Sequence, residues 1–217
     1  MPRIDLRQRK SPRQARSADT VETILAAAAR VLERESLAGF NTNRVAEVAG
    51  VSVGSLYQYF PNKSALVAAL IDRHESTIAA SIESCVAAHL DRSLREALLA
   101  LADIGIAQQY ARPILAAALD HEEARLPLGA RLRAYEQRIG AAVMTLLQRH
   151  AAELGAPPRP RDVQDIFVIA KAMIEADAAA GRTPSADLRD RVVRALLGYL
   201  ATPIGANQEP KPDGPGP

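Results

Sequence analysis

Cysteine, tryptophan and long apolar runs are scarce or missing in this sequence. Its single cysteine, Cys85, cannot form a disulfide within the chain, and none of the 217 residues is tryptophan. No run of about 18 apolar residues occurs, so a membrane-spanning helix is not expected. The N-terminus is polar and basic, unlike a secretory signal. These absences predict a cytoplasmic protein that has no membrane partner.

Aliphatic side chains must form the core, because aromatic residues are only 4% of the chain and hydrophobic residues are 48%. A mixture of Ala, Leu, Val and Ile favours helices over strands. Apolar residues recur at helical spacing along most of the chain, and no strand pattern, internal repeat or glycine-rich phosphate loop occurs. We therefore predict an all-α protein of about nine helices. The length allows one large domain or two small ones.

The segment 42–63, TNRVAEVAGVSVGSLYQYFPNK, predicts two short helices joined by a tight turn. Ala46 is small where two helices would cross closely, and Gly50 suits a left-handed helix end. Leu56 is placed to pin the second helix to the core. This spacing is typical of a helix-turn-helix, although a helical hairpin with a glycine turn also occurs in ordinary bundles.

Several polar residues of this segment can begin or end helices. Thr42 can cap the first helix and Ser52 the second, each accepting a free backbone amide. Pro61 ends the second helix, and Asn62 is the expected cap of the next one. Lys63 lies beside that cap, where it could contact a phosphate or remain an ordinary solvated lysine.

The second helix presents a face that suits a DNA groove. Half of the aromatic residues of the chain fall between positions 40 and 60. We interpret Phe40 and Phe60 as core residues, whereas Tyr57 and Tyr59 are not needed for packing and could reach phosphates. Gln58 could bind adenine through two hydrogen bonds. The small residues where the helix begins would let bases come close. They are Val53, Gly54 and Ser55.

Residues from about 16 to 73 resemble the DNA-binding domain of the TetR family of transcriptional regulators. After a leading helix at 21–35, the resemblance runs through Gly39-Phe40, then 45–52, and then 54–63. It implies a helix-turn-helix domain of three helices, followed by a helical bundle that holds a small-molecule effector. It also implies a homodimer that binds a double-stranded DNA operator.

The sequence predicts four parts on this basis: a disordered basic arm at 1–16, a helix-turn-helix DNA-binding domain at 17–63, a ligand-binding and dimerisation domain at 64–202, and a disordered tail rich in proline and glycine at 203–217. The net charge is only +2, but the arm holds six basic residues and one acid. Such an arm could follow a phosphate backbone or a minor groove, or merely be solvated. The basic residues are Arg3, Arg7, Arg9, Lys10, Arg13 and Arg16.

The fourth helix, predicted from Ser64 to about His89, is long enough to link the two domains. The effector pocket implied by the resemblance would lie among helices four to eight. Its candidate residues are chosen from mid-helix positions, where each could equally be plain core. They are Ile82, Ile104, Gln108, Tyr110, Tyr135, Met144, Phe167 and Met173.

The last two helices, at about 162–180 and 185–201, carry apolar stripes that are wide for the end of a domain. One side could pack inward while the other meets a second copy of the chain. The family resemblance implies a four-helix dimer interface made of these two helices from each subunit. The alternative is a monomer that buries both sides.

Catalytic and metal-binding patterns are not legible. Asp120-His121-Glu122-Glu123 is the only cluster with metal-ligand residue types. Consecutive helical residues point in different directions, so we predict no metal site there. We predict a protein that is not an enzyme and uses no cofactor. Its most probable role is a ligand-responsive repressor that binds a palindromic operator as a dimer. An activator or a regulator that answers to a partner protein, and an enzyme fused to a helix-turn-helix, remain alternatives.

Overall fold

The structure is a computed structural model that describes Leu6 and residues 15–154 and 156–201. Within these residues the chain is all-α, as predicted, with nine α-helices and a short 3₁₀ turn at Ala151–Glu153. None of the described helices is long and apolar enough to cross a membrane. The helices are α1 Ala15–Gly39, α2 Thr42–Ala49, α3 Val53–Tyr59, α4 Lys63–His89, α5 Leu94–Ala111, α6 Pro113–Arg125, α7 Gly129–Arg149, α8 Pro160–Ala179 and α9 Ala186–Ala201.

The turn between α2 and α3 follows the sequence prediction. Gly50 adopts a left-handed conformation with φ 68°, which glycine reaches without strain. The Ser52 hydroxyl accepts the Ser55 amide at 3.0 Å and so caps α3. The Asn62 carboxamide accepts the Ala65 amide at 2.8 Å and caps α4. These predicted caps are confirmed.

The cap of α2 differs from the prediction. Asn41, not Thr42, occupies the cap position, and its side chain accepts the Arg44 amide at 2.9 Å. Thr42 is instead the first helical residue. Its hydroxyl is hydrogen-bonded to the Tyr57 hydroxyl at 3.0 Å, so a long-range contact takes the place of the local one.

The buried side chains form two hydrophobic clusters. The first cluster lies among α1, α2, α3 and the start of α4, and includes Leu115 and Leu119 of α6. The second lies among the end of α4 and helices α5, α7, α8 and α9. The first cluster therefore extends past Lys63, where the helix-turn-helix ends, and includes residues of α6.

Helix α4 belongs to both clusters. Leu66 and Leu70 are buried in the first, whereas Ile82 and Val86 are buried in the second. Its 27 residues span about 40 Å at 1.5 Å per residue. A shift of α4 along or across its axis would therefore be felt in both clusters.

A buried carboxylate fastens the C-terminal helices. Asp177 of α8 is 3% exposed and accepts hydrogen bonds from Tyr110 of α5 at 3.1 Å, and from Arg182 and from Arg191 of α9 at 2.9 Å each. The bonds from Arg182, then Arg191 and Tyr110, hold the pKa of Asp177 below its usual range. The carboxylate thus stays charged and ties α5, α8 and α9 together.

The predicted arm and tail lie mostly outside the described residues. Leu6 is described and is buried in the first cluster, where its carbonyl accepts a hydrogen bond from Arg131 at 3.2 Å. Ala15 and Arg16, the last two residues of the predicted arm, already belong to α1. The tail at 203–217 lies wholly outside the described part of the chain.

Candidate nucleic-acid interface

Helix α3 is anchored from one side. Leu56 and Phe60 are fully buried in the first cluster, and they fix the rotation of this short helix. The opposite side is open: Val53 is 38% and Tyr57 39% exposed, and Gln58 is also exposed. Large exposed apolar side chains are few in the described part of the chain, so two of them on one short helix mark this face for contact.

Tyr57 is held in position by α2. Its hydroxyl shares a hydrogen bond with that of Thr42, whose side chain is buried between the two helices. Ser52 and Ser55 are linked in the same way at the start of α3, with 2.9 Å between their hydroxyls. The polar groups of the face are therefore preorganised, since each hydroxyl already has a protein partner that limits its rotation.

Tyr59 differs from the expectation drawn from the sequence. Its side chain is 8% exposed and packs in the first cluster, so the interpretation that packing does not need it is wrong. The physical reason is helical spacing, because Tyr59 follows Leu56 by three residues and shares its buried side. Its contact with a phosphate stays a prediction.

Lys63 lies where α3 meets α4. Its Nζ is 3.4 Å from the Leu37 carbonyl oxygen and 5.3 Å from the centre of the Phe40 ring, a cation–π distance. The side chain remains exposed. The Lys63 side chain is thus held against the end of α1 and the Phe40 ring.

Arg44 is a basic residue near this face that sequence reasoning missed. It lies on α2, but Glu35 at 2.6 Å and Glu47 at 2.8 Å both pair with its guanidinium. Its hydrogen bonds with Glu35, then with Glu47, raise the pKa of Arg44. The folded residues 15–63 contain five basic and five acidic side chains and so carry no net charge. In the sequence, the excess of positive charge beside this segment lies in residues 3–13.

Gly54 has no packing reason to be a glycine. A Cβ placed there would meet only the Ser52 hydroxyl, at 3.9 Å, which is an ordinary contact. Glycine within a helix costs about 0.5–1 kcal/mol relative to alanine. Gly54 therefore lowers the stability of α3 although no described part of the protein requires a glycine there. It lies where an external surface would approach the helix.

The residues predicted to line an effector pocket do not gather around one cavity. Ile82, Ile104, Tyr110, Met144, Phe167 and Met173 lie in or against the second cluster. Gln108 lines a separate cavity nearer the helix-turn-helix. Tyr135 belongs neither to the second cluster nor to the lining of that cavity. Burial, with a smaller effect from Asp72, raises the pKa of its hydroxyl. Their contact with a ligand stays a prediction.

Metal and thiol chemistry find little support within the described residues. No group of three or more His, Cys, Asp or Glu side chains among them is arranged to hold a metal ion. Cys85 is half-buried, and burial, followed by the charge of Asp103, raises the pKa of its thiol. A raised pKa leaves less of the reactive thiolate at neutral pH.

Two short helices joined by a turn of this geometry, the second with one buried and one open side, form a helix-turn-helix motif. The sequence model for bacterial regulatory proteins of the tetR family matches residues 24–70. The resemblance noted from the sequence is therefore confirmed over the helix-turn-helix region.

Individual relatives agree with this assignment. Over 70 residues the chain is 40% identical to the HTH-type transcriptional regulator EthR of Mycolicibacterium smegmatis, a match that covers 30% of this chain and 32% of EthR. The matched segments span at most about a third of the length of such curated relatives. The sequence similarity to these relatives is therefore shown for only part of the chain.

Solved structures extend the similarity in fold to the C-terminal helices. A TetR-family regulator from Mesorhizobium loti superposes with a TM-score of 0.71 at 21% identity, covering 87% of this chain and 98% of the other. The TetR-like regulator LfrR of Mycobacterium smegmatis, solved in complex with proflavine, gives a TM-score of 0.61 at 22% identity, with 86% and 98% covered. At these identities the likeness concerns the fold alone.

Proposed function

We propose that this protein is a cytoplasmic, ligand-responsive repressor that binds a palindromic operator as a homodimer. The observation that carries the proposal is the two-sided character of α3. Leu56 and Phe60 bury one side completely, while Val53, Tyr57 and Gln58 leave the other open. A short helix fixed in this way can enter a major groove without rearranging the domain beneath it.

We assign two roles to the predicted DNA-binding residues. Side chains with a hydroxyl or an ammonium group would position the domain on phosphates, and residues on the open side of α3 would read base edges. The phosphate group is Thr42, Ser52, Tyr57, Tyr59 and Lys63. The base-reading group is Val53, Gly54, Ser55 and Gln58.

The exposed side of α8 supports a dimer made through α8 and α9. Val168 is 67% exposed, the most exposed of the large hydrophobic side chains in the described residues. Ala172 and Ala176 are exposed one and two turns later, so an apolar, sterically smooth strip runs along the helix. Packing that strip against the same surface of a second copy would form an isologous interface.

We expect Val168→Glu to convert the dimer to monomers at micromolar concentration. The two copies of the substitution would bring two carboxylates into one apolar interface, which should weaken association by at least about a hundredfold. Sedimentation velocity measures the change. Ile114→Glu is the matched control, because Ile114 is a large apolar side chain that is 56% exposed on a different helix, α6. A dimeric Val168→Glu protein, or a monomeric control, would contradict the proposed interface.

We expect the basic arm to supply much of the salt-dependent affinity for DNA. Replacing Arg3, Arg7, Arg9, Lys10 and Arg13 by Gln leaves Leu6 in place but removes the excess charge, since the folded residues 15–63 are neutral. Affinity should fall at least about tenfold, and each lost phosphate contact should reduce the salt slope by about 0.9. Fluorescence anisotropy across a range of salt concentrations measures both. Arg149→Gln should change neither, and an arm variant with an unchanged slope would refute this role.

Two states account for regulation. In one, the two α3 helices of a dimer fit successive major grooves and the operator is blocked. In the other, a ligand held by the C-terminal helices shifts α4, which belongs to both hydrophobic clusters. The ligand acts through its different affinity for the two states.

The direct test uses the purified full chain and DNA fragments from upstream of its own gene. We expect nanomolar binding at moderate salt and at least about a thousandfold weaker binding to DNA of shuffled sequence. Deleting the gene should raise transcription from the bound promoter. Absence of binding to any fragment would refute DNA recognition, and lower transcription after deletion would replace repression with activation.

A further inference from the structure

A cavity of about 200 Å³ lies between α1, α4, α5 and α6, where the first hydrophobic cluster meets α6. Leu70, Leu115 and Leu119 form an apolar floor, each nearly fully buried. Gln108 is the only predicted pocket residue on its wall. The cavity is therefore a different site from the one the sequence predicted. It adjoins α4, the helix that belongs to both hydrophobic clusters.

The polar part of the wall carries two arginine side chains. Arg73 and Arg112 line it, together with His74, and no acidic residue is among the described lining residues. Burial lowers the pKa of His74; Asp120 partly opposes this effect and Arg112 adds to it. The wall thus offers two guanidinium groups and neutral hydrogen-bonding groups, a combination that favours a carboxylate.

The size of the cavity limits the rest of the ligand. Its volume equals that of about seven water molecules in the liquid. This is below the range of about 300–1,000 Å³ that is usual for drug-sized ligands. A short apolar chain over the leucine floor and one carboxylate at the arginines would fill it.

Both arginines already hold a carboxylate of α1. Arg112 pairs with Glu33 through two hydrogen bonds, the one from Nη2 to Oε2 being 2.7 Å. Arg73 pairs with Glu22 at 3.1 Å. These two pairs join α1 to α6 and to α4. A ligand carboxylate that takes the place of Glu33 or Glu22 would release α1 from the helices behind it.

We propose that this cavity is the effector site, that it binds a small monocarboxylate with a short apolar chain, and that the bound carboxylate displaces Glu33 from Arg112. The proposal rests on the ligand-responsive function proposed above. It adds the class of ligand, the residue that binds it and the contact that it breaks. When the ion pair between Arg112 and Glu33 is lost, α1 can move relative to α6. The helix-turn-helix, which packs on α1, would move with it.

The test is calorimetric titration of the full chain with sodium hexanoate, compared with 1-hexanol and hexylamine. We expect hexanoate to bind and neither 1-hexanol nor hexylamine to bind, and we expect sodium dodecanoate to bind more weakly than hexanoate because the cavity is small. Arg112→Gln should weaken hexanoate binding at least about tenfold, since it removes a charged hydrogen bond. Glu33→Gln should strengthen it at least threefold, because the competing carboxylate is gone.

The opposite signs of these two effects separate ligand binding from a structural role. Both substitutions break the same pair, so a purely structural pair would make them change binding in the same direction. Arg138→Gln is the matched control: Arg138 makes an equivalent two-bond pair with Glu83, at 2.9 and 2.7 Å, between α7 and α4. It should leave hexanoate binding within twofold. Equal binding of 1-hexanol, or no binding of hexanoate, overturns the proposal.

A promoter-binding assay separates failure of this inference from failure of the proposed function. If the protein binds its promoter and hexanoate lowers that affinity at least fivefold in the wild type but not in Arg112→Gln, the inference is supported. If the protein binds its promoter and hexanoate changes nothing, the inference fails and DNA recognition stands. If the protein binds no promoter fragment while hexanoate still binds, the proposed function fails and the ligand site remains.

Discussion

Replacing Gly54 by leucine should lower sequence-specific DNA affinity at least about thirtyfold without harming the fold. Nothing in the described protein lies closer than 3.9 Å to a Cβ at this position, so the substitution is sterically open. Replacing a helical glycine should even stabilise α3, by several tenths of a kcal/mol. At the DNA surface the same side chain would hold the recognition helix away from the bases.

The expected loss is large because a dimer carries the change twice. A disrupted base contact costs about 1–3 kcal/mol. Two of them therefore amount to about 2–6 kcal/mol, or roughly a thirtyfold to twenty-thousandfold loss of affinity. Anisotropy with the promoter fragment measures this loss, and thermal unfolding measures stability.

Gly140→Leu provides the control for this experiment. Gly140 is also helical and has open space at its Cβ position, but it lies in α7, away from α3. It should leave DNA affinity within about twofold. Undiminished affinity of Gly54→Leu would mean that the start of α3 does not approach the bases.

Replacing Phe60 by alanine should have the largest effect on stability. Phe60 is the largest of the fully buried side chains and lies in the first cluster at the end of α3. Truncating a buried phenylalanine costs about 3–5 kcal/mol, because burial is lost and a cavity remains. For a chain of this length that corresponds to a fall in Tm of about 6–20 °C. DNA binding should fall as well, since the cluster sets the position of α3.

Gln58→Ala is the complementary substitution two residues away. Gln58 is exposed, so stability should change by less than about 0.5 kcal/mol while DNA affinity falls by about 1–3 kcal/mol per subunit. Calorimetric unfolding and anisotropy on the same two proteins give the comparison. If Phe60→Ala unfolds with the wild-type Tm, the first cluster does not hold α3 as described.

The elements that the sequence predicts well are those governed by neighbouring residues. Gly50 has a backbone preference, and Ser52 and Asn62 have side chains that cap the amide three residues ahead. Such effects depend on a few consecutive positions. Helix existence and the turn of the helix-turn-helix could therefore be predicted from the sequence alone.

The errors arise where distant residues compete with local preferences. Asn41 and Thr42 can both cap α2, and the choice is decided by Tyr57, fifteen positions away, which engages the Thr42 hydroxyl. The burial of Tyr59 could have been found, because it lies three residues after Leu56 on the same side of a helix. The Tyr59 hydroxyl favours an exposed position, but the spacing from Leu56 indicates a buried one.

The cavity and its arginines could not be predicted in this way. Glu33 and Arg112 are separated by 79 positions, and Glu22 and Arg73 by 51. No periodicity links such pairs, since their proximity follows from how α6 and α4 pack on α1. Most of the mid-helix positions predicted to line a pocket lie in or against the second cluster, because core and pocket residues share the same apolar pattern.

Hydroxyl-radical footprinting of the full chain on the DNA upstream of its own gene tests most directly whether α3 of a symmetric dimer reads DNA. Two protected patches are predicted, related by two-fold symmetry and centred about 34 Å apart, one turn of the double helix. Gly54→Leu should remove both patches at the same protein concentration. A single patch, or uniform cleavage along every fragment, would contradict recognition by paired α3 helices.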